Sequence, residues 1–329
     1  MINKLKKISF ITLPIALGVF LIWYSISKLA PADIKSIETS FKTANYWWVA
    51  LSLVFGILSH LSRAYRWRFL LDPLGYKPTY LNCVMTVLIA YLLNLFIPRS
   101  GEIARAASIK KYEKIPFEKA IGTIVAERVA DVIMLFSITG IAFFLQTELM
   151  GSYLFKEDEE GNLYLKIIFL VVIPLAGFIT YRILKKSTHP FIMKIFTFIK
   201  GLIDGIKSII TMKKKWEFIF HTIFIWLMYV LMFYAVTFAL PETTNLPFDA
   251  IIVAFVVGGF SMALTNGGLG TYPVFVASAL ILYNIEDNPA RAFGWIMWTA
   301  QTLMVIIFGG LSFLLIPIYN KYRKTSGYS

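Results

Sequence analysis

A chain of 329 residues that is 58% hydrophobic and 16% charged is neither a soluble globular enzyme nor, despite a net charge of +13, a nucleic-acid-binding protein, because its cations sit in short connections beside apolar runs. A single cysteine, Cys83, lies within an apolar run, and His60, His189 and His221 are scattered, which excludes a disulfide framework, CxxC chemistry and a metal site. No metal or other cofactor is expected.

Taken in order, hydropathy predicts full spans at residues 8–29, 46–61, 122–145, 165–184, 218–240 and 292–318, with two interrupted apolar stretches at 79–97 and 250–283. The basic start (Lys4, Lys6, Lys7) precedes an apolar run longer than a secretory signal core, so the first span reads as a retained anchor with a cytoplasmic N-terminus. Residues 31–45 form an external connection. Tyr46, Trp47 and Trp48 suit the interface where the second span begins, and Arg63, Arg66 and Arg68 mark its cytoplasmic end, with Arg63 and Arg66 near enough on one helical face to meet a lipid phosphate.

The third stretch decides the topology. If residues 79–97 cross the bilayer, Lys and Arg divide as 10 inside and 21 outside; if they dip in and return near Pro98, the division is 25 inside and 6 outside. The positive-inside rule selects the re-entrant course. It also leaves Glu157 to Glu160 outside and the basic connection 182–215 inside, where residues of about 190–212 show helical amphipathicity suited to the cytoplasmic leaflet or to packing on the bundle. The second interrupted stretch breaks at Asn266, Gly267, Gly268 and Gly270 and resumes for too few residues to span. The final span runs inward to Lys321, Arg323 and Lys324, and only about ten residues follow it, so no soluble domain is expected.

The fold class expected is therefore all-α: a polytopic membrane helix bundle of about six full spans plus two re-entrant broken-helix hairpins, forming a single integral membrane domain. Residues 1–148 and 149–329 repeat the same order of segments with opposite orientation, since Trp47 and Glu217 are 170 residues apart and Asn94 and Asn266 are 172 apart. Such inverted repeats place broken helices about a central site.

Candidate site residues gather at the breaks. Pro98 and Gly101 interrupt a helix at membrane depth, which is tolerated where the freed backbone groups line a site. A helix starting beyond Pro98 aims amides and its positive dipole end at the loop, and Arg99 and Arg105 flank Glu102 there, a pattern that attracts phosphate. Glu127, Arg128 and Asp131 fall inside the next apolar segment, where Arg128 can pair with Asp131 at i,i+3. These charges either lock helices together or hold a headgroup. Asn266, Gly267 and Gly268 permit a tight turn or a nest for a headgroup.

Asn94, Pro98, Arg99, Gly101, Glu102 and Arg105, followed by Glu127-Arg128 and Asp131 and then by Asn266-Gly-Gly-Leu-Gly, resemble the lysylphosphatidylglycerol synthase transmembrane region, a flippase-like membrane family. The resemblance covers nearly the whole chain. It implies movement of a lipid between leaflets, with Asn94, Arg99, Gly101, Glu102, Arg105, Glu127, Arg128, Asp131, Gly267 and Gly268 as matching positions. It implies no aminoacyl transfer, because the soluble domain that performs it in the multiple peptide resistance factor has no counterpart here. Tyr272 and Pro273 depart from a Glu found in relatives.

The leading reading is a lipid translocase in the plasma membrane of a prokaryote, with both termini cytoplasmic and a phospholipid or polyprenyl-type lipid as ligand. Without GxxxxGK[ST], ATP does not drive it directly. An integral membrane glycosyl- or lipid-transferase, and a non-catalytic partner of a lipid-modifying enzyme, are the alternatives. A second copy of the chain is left open as a partner.

Overall fold

In an apolar solvent every backbone amide and carbonyl must find its partner inside the chain, and helices achieve this locally. The computed structural model describes residues 31–97, 99–146, 211–265 and 267–325, with Trp23, Ser27, Leu175, Met193 and Ile209. Among the described residues there are nine α-helices and no strand. They are α1 (Pro31–Thr43), α2 (Tyr46–Leu71), α3 (Tyr80–Phe96), α4 (Ser100–Glu113), α5 (Phe117–Leu145), α6 (Lys215–Thr237), α7 (Phe248–Leu264), α8 (Thr271–Ile281) and α9 (Asp287–Thr325). The bundle is all-helical and polytopic, as expected. The predicted spans 8–29 and 165–184, the acidic run and the amphipathic segment 190–212 fall, but for isolated positions, outside the described residues.

Four helices, α2, α5, α6 and α9, are long and apolar enough to cross a membrane. Their exposed faces are apolar: Phe220, Ile223, Leu227 and Tyr234 form a stripe on α6, and Leu303, Ile307, Leu311 and Leu314 on α9. Their buried faces add polar groups to apolar ones, among them Ser52, Ser59, Thr222 and Ser312. An apolar exterior around a partly polar interior fits lipid, not water, as the surrounding medium.

Two compact units divide the chain, Met1–Glu127 with Trp216–Ser329, and Arg128–Lys215. In the first, α9 packs against α1, α2, α3 and α8. Small residues let these helices approach closely. Gly309 lies against Leu92 and the Leu88 carbonyl, and Gly56 lies against Met304 and Met232. A core of Phe233, Ile251, Val276, Phe293 and Met297 fills the space between α6, α7, α8 and α9.

Residues 31–45, expected as a plain connection, are mostly helix α1, whose Ile37 and Phe41 pack on that core. Helix α2 runs past the predicted end at residue 61 to Leu71, because Arg63 and Arg66 find partners inside the bundle rather than at its surface.

The two interrupted stretches are both helical hairpins. In the first, α3 and α4 pack antiparallel, and Arg99, just ahead of α4, takes φ 60°, a left-handed value that costs a non-glycine residue about 1 kcal/mol or more. Asn94 repairs the broken ladder: its Oδ1 accepts from the Gly101 amide at 2.8 Å, and its Nδ2 donates to Glu102 Oε2 at 3.3 Å. At the base, Glu113 Oε1 accepts from the Thr79 amide at 3.1 Å, from Asn82 Nδ2 at 2.5 Å and from Arg323 Nη1 at 2.8 Å. In the second hairpin, α7 and α8 are joined by Ser261 Oγ donating to Thr271 Oγ1 at 2.5 Å, and Trp298 Nε1 donates to the Gly267 carbonyl at 2.9 Å. The tips of the two hairpins touch, for a Cβ added at Gly267 would stand 2.5 Å from Leu95 Cδ2.

Gly101 is a close approach of α4 to α3, since a Cβ there would overlap the Ala90 carbonyl. Gly101→Ala is expected to destabilise the protein by about 1–3 kcal/mol through overpacking. Gly122→Ala on α5, where a Cβ meets nothing within 4 Å, should instead gain up to about 1 kcal/mol of helix propensity. Unfolding midpoints of the two variants in detergent check the contrast.

Candidate functional site

On α2, residues Ser59, His60, Arg63, Arg66 and Trp67 recur at helical spacing and form one buried face. This face turns toward α3, α4, α5 and α6. Arg63, Arg66, Arg105 and Glu127 are each no more than 2% exposed, although charged side chains are almost never buried so fully without partners.

Glu127 on α5 stands between two guanidiniums. Its Oε2 lies 2.7 Å from Arg105 Nη1 on α4, and its Oε1 lies 3.4 Å from Arg66 Nη2 on α2. Neighbours other than the carboxylate also hold the cations. Arg66 Nη1 donates to Thr222 Oγ1 on α6 at 2.8 Å, and its guanidinium lies 5.1 Å from the Phe218 ring centre. Arg105 stacks on Trp67, with Cζ 3.7 Å from the ring centre, and Trp67 Nε1 donates to Thr123 Oγ1 at 2.8 Å. A guanidinium over an indole face gains about 0.5–2 kcal/mol of cation–π attraction, more when water is excluded.

A second layer extends the polar face. Arg63 Nη2 donates to Tyr229 Oη at 3.4 Å, Tyr229 and Tyr91 share a hydrogen bond of 3.2 Å, and the His60 and Tyr91 rings stand 4.3 Å apart. Ser62 Oγ and His221 Nδ1 are 2.8 Å apart. The arrangement gathers hydroxyls, imidazoles and guanidiniums from α2, α3, α4, α5 and α6. Chemically it suits recognition of an oxyanion by guanidinium forks and hydroxyl donors. Among the described residues no group of three His, Cys, Asp or Glu is placed to hold a metal ion.

Residues 11–310 match the sequence pattern of the lysylphosphatidylglycerol synthase transmembrane region. The chain belongs to that family. A UPF0104 membrane protein of Methanocaldococcus jannaschii is 23% identical in an alignment that covers 89% of this chain and 92% of the relative. No solved structure matches.

Against this lysylphosphatidylglycerol synthase transmembrane fold, the residues expected to act fall into separate groups. Arg105 and Glu127 come together in the buried layer. Asn94, Gly101 and Glu102 come together at the first hairpin tip, as a cap on α4, and Arg99 is exposed beside them. Arg128 and Asp131 pair along α5 at 3.5 Å, with the Arg128 side chain 41% exposed. Gly267 and Gly268 form the second tip, at φ 61° and 74°, and Asn266 lies outside the described residues. Sequence reasoning placed Arg63 and Arg66 at the interface and passed over Trp67, Thr123, Thr222 and Tyr229. The signal for the first three was present, an i,i+3,i+4 face of Arg63, Arg66 and Trp67 continuing the small polar face of Ser52, Gly56 and Ser59.

Removing one member of a buried ionic set leaves the remaining charge uncompensated there. Glu127→Ala should destabilise the protein by about 3–5 kcal/mol, because two guanidiniums lose their common anion. Glu118→Ala, at an exposed position one end of the same helix, should change stability by no more than about 0.5 kcal/mol. Chemical unfolding in mixed micelles measures both.

Proposed function

We propose that this protein is a lipid translocase of a prokaryotic plasma membrane, in which the phosphate-bearing headgroup of a phospholipid or polyprenyl-type lipid passes along the polar face of α2. The observation that carries this reading is the Arg66–Glu127–Arg105 set, buried within a bundle whose long helices expose apolar faces. Ionisable groups at such depth face an interior pathway or partner and are expensive unless they serve one. A headgroup phosphate is the oxyanion that the surrounding bilayer itself supplies, and guanidinium forks suit it.

The two hairpins act as re-entrant elements that enter from opposite sides and meet at their tips. The clasp of Glu113 on Thr79 and Asn82 supports this for α3 and α4, since it brings the start and end of that hairpin to one level. Lengths agree: α4, at 14 residues, covers about 21 Å, and α8, at 11, about 16 Å, both short of a ~30 Å hydrocarbon core. The contact of Leu95 with Gly267 supports a pathway bounded by both tips, as in inverted-repeat transporters. The termini then face the cytoplasm.

Two experiments test the reading. In proteoliposomes the parent should move fluorescent or radiolabelled phospholipid between leaflets. Arg105→Gln, once shown to fold and insert, should lower the rate at least about tenfold, the equivalent of losing one charge-assisted contact. If the parent moves no anionic, zwitterionic or aminoacylated lipid, even under an imposed proton gradient, the translocase reading falls.

For topology, single cysteines introduced at Lys77, Lys114 and Lys321 in a Cys83→Ala background should all react with a membrane-impermeant thiol reagent from the cytoplasmic side. Lys35→Cys should react only from the opposite side. Labelling of the Lys77 and Lys114 positions from opposite sides would replace the hairpin with a full span.

A further inference from the structure

Arg66, Arg105 and Glu127 are contributed by α2, α4 and α5 and meet away from water. Two guanidiniums so placed need an anion between them. In this closed arrangement the Glu127 carboxylate is that anion, with one oxygen assigned to each cation. A headgroup phosphodiester carries the same single charge spread over two outward oxygens, and a guanidinium fork accepts either group.

The cations have anchors of their own. Thr222 holds Arg66 at 2.8 Å, and the Trp67 ring backs Arg105 at 3.7 Å. Both would keep their places if the carboxylate withdrew, which is what a preorganised receptor requires. The contacts of Glu127 are also unequal, 2.7 Å to Arg105 and 3.4 Å to Arg66.

We infer that Glu127 is a built-in competitor that occupies the phosphate position between Arg66 and Arg105 until a phospholipid headgroup displaces it, an inference that rests on the translocase reading. Displacement removes the ionic tie of α5 to α2 and α4 and leaves the Trp67–Thr123 hydrogen bond between α2 and α5. The ligand therefore favours the state in which the carboxylate has left, because only that state offers it both cations. The empty protein is held closed by its own side chain.

The test is equilibrium binding of radiolabelled dioctanoyl phosphatidylglycerol to the purified full-length protein in detergent. Unlabelled inorganic phosphate and dioctanoylglycerol serve as competitors. Glu127→Gln should bind about tenfold more tightly than the parent, and Arg66→Gln and Arg105→Gln about tenfold more weakly, within the usual range of coupling between competing groups. Glu127→Asp, whose carboxylate is one methylene short of its position, should also bind more tightly, by a smaller factor; it decides the matter if Glu127→Gln does not fold.

Binding by the Glu127 variants that is equal to or weaker than the parent's overturns the inference, since a merely architectural carboxylate predicts loss in every variant. Displacement of the labelled phospholipid by an equal concentration of dioctanoylglycerol also overturns it, and so does binding of inorganic phosphate without any phospholipid. Scrambling by the parent together with weaker binding by the Glu127 variants refutes this inference alone. Tighter binding by those variants in a parent that scrambles nothing refutes translocation alone.

Discussion

Burying charge in a bundle that is apolar outside is the constraint on which this structure depends. Glu127 and the guanidiniums of Arg66 and Arg105 satisfy one another only if α2, α4 and α5 arrive together, and Thr222 adds α6 to the same point. Apolar side chains supply little direction in a medium as apolar as themselves, whereas hydrogen bonds and close contacts of small residues do. The ionic layer thus fixes register among helices whose outer faces would tolerate many arrangements.

The hairpins answer a second demand, that a helix broken inside an apolar environment must still satisfy its backbone. Each break uses side chains from the neighbouring arm or helix. Asn94 takes the Gly101 amide, and Trp298 takes the Gly267 carbonyl. The Ser261, Thr265 and Thr271 hydroxyls join the ends of α7 and α8. Glycine at 101 and 267 serves contact in one case and a left-handed turn in the other. With both tips repaired locally, neither hairpin needs the other to keep its shape, and the tips can meet through as slight a contact as Leu95 on Gly267.

Much of this was legible in the sequence because it depends on local features. Proline and glycine within apolar runs announced both breaks, and hydropathy found the four long helices, since each is set by residues within a few turns. The buried layer was harder to read. Hydropathy treats arginine as the end of a span, so Arg63 and Arg66 appeared to sit at the interface, when α2 continues through them to Leu71. Their partners lie elsewhere in the chain, Glu127 61 positions and Thr222 156 positions from Arg66, and no local pattern in one sequence records such a pairing. Arg99, whose neighbours in sequence suggested a phosphate ligand, is exposed just ahead of α4, apart from the buried layer. Helix α1 was missed because its polar residues outnumber those that pack.

The clasp at the base of the first hairpin also concerns the far end of the chain. Asn82 and Asn320 exchange amide hydrogen bonds of 3.0 and 2.7 Å, and Arg323 reaches the same Glu113 oxygen that closes α3 onto α4. The last turns of α9 therefore work as a hasp over the hairpin hinge. Loss of Asn320 or Arg323 would loosen the base of the hairpin that carries Arg105.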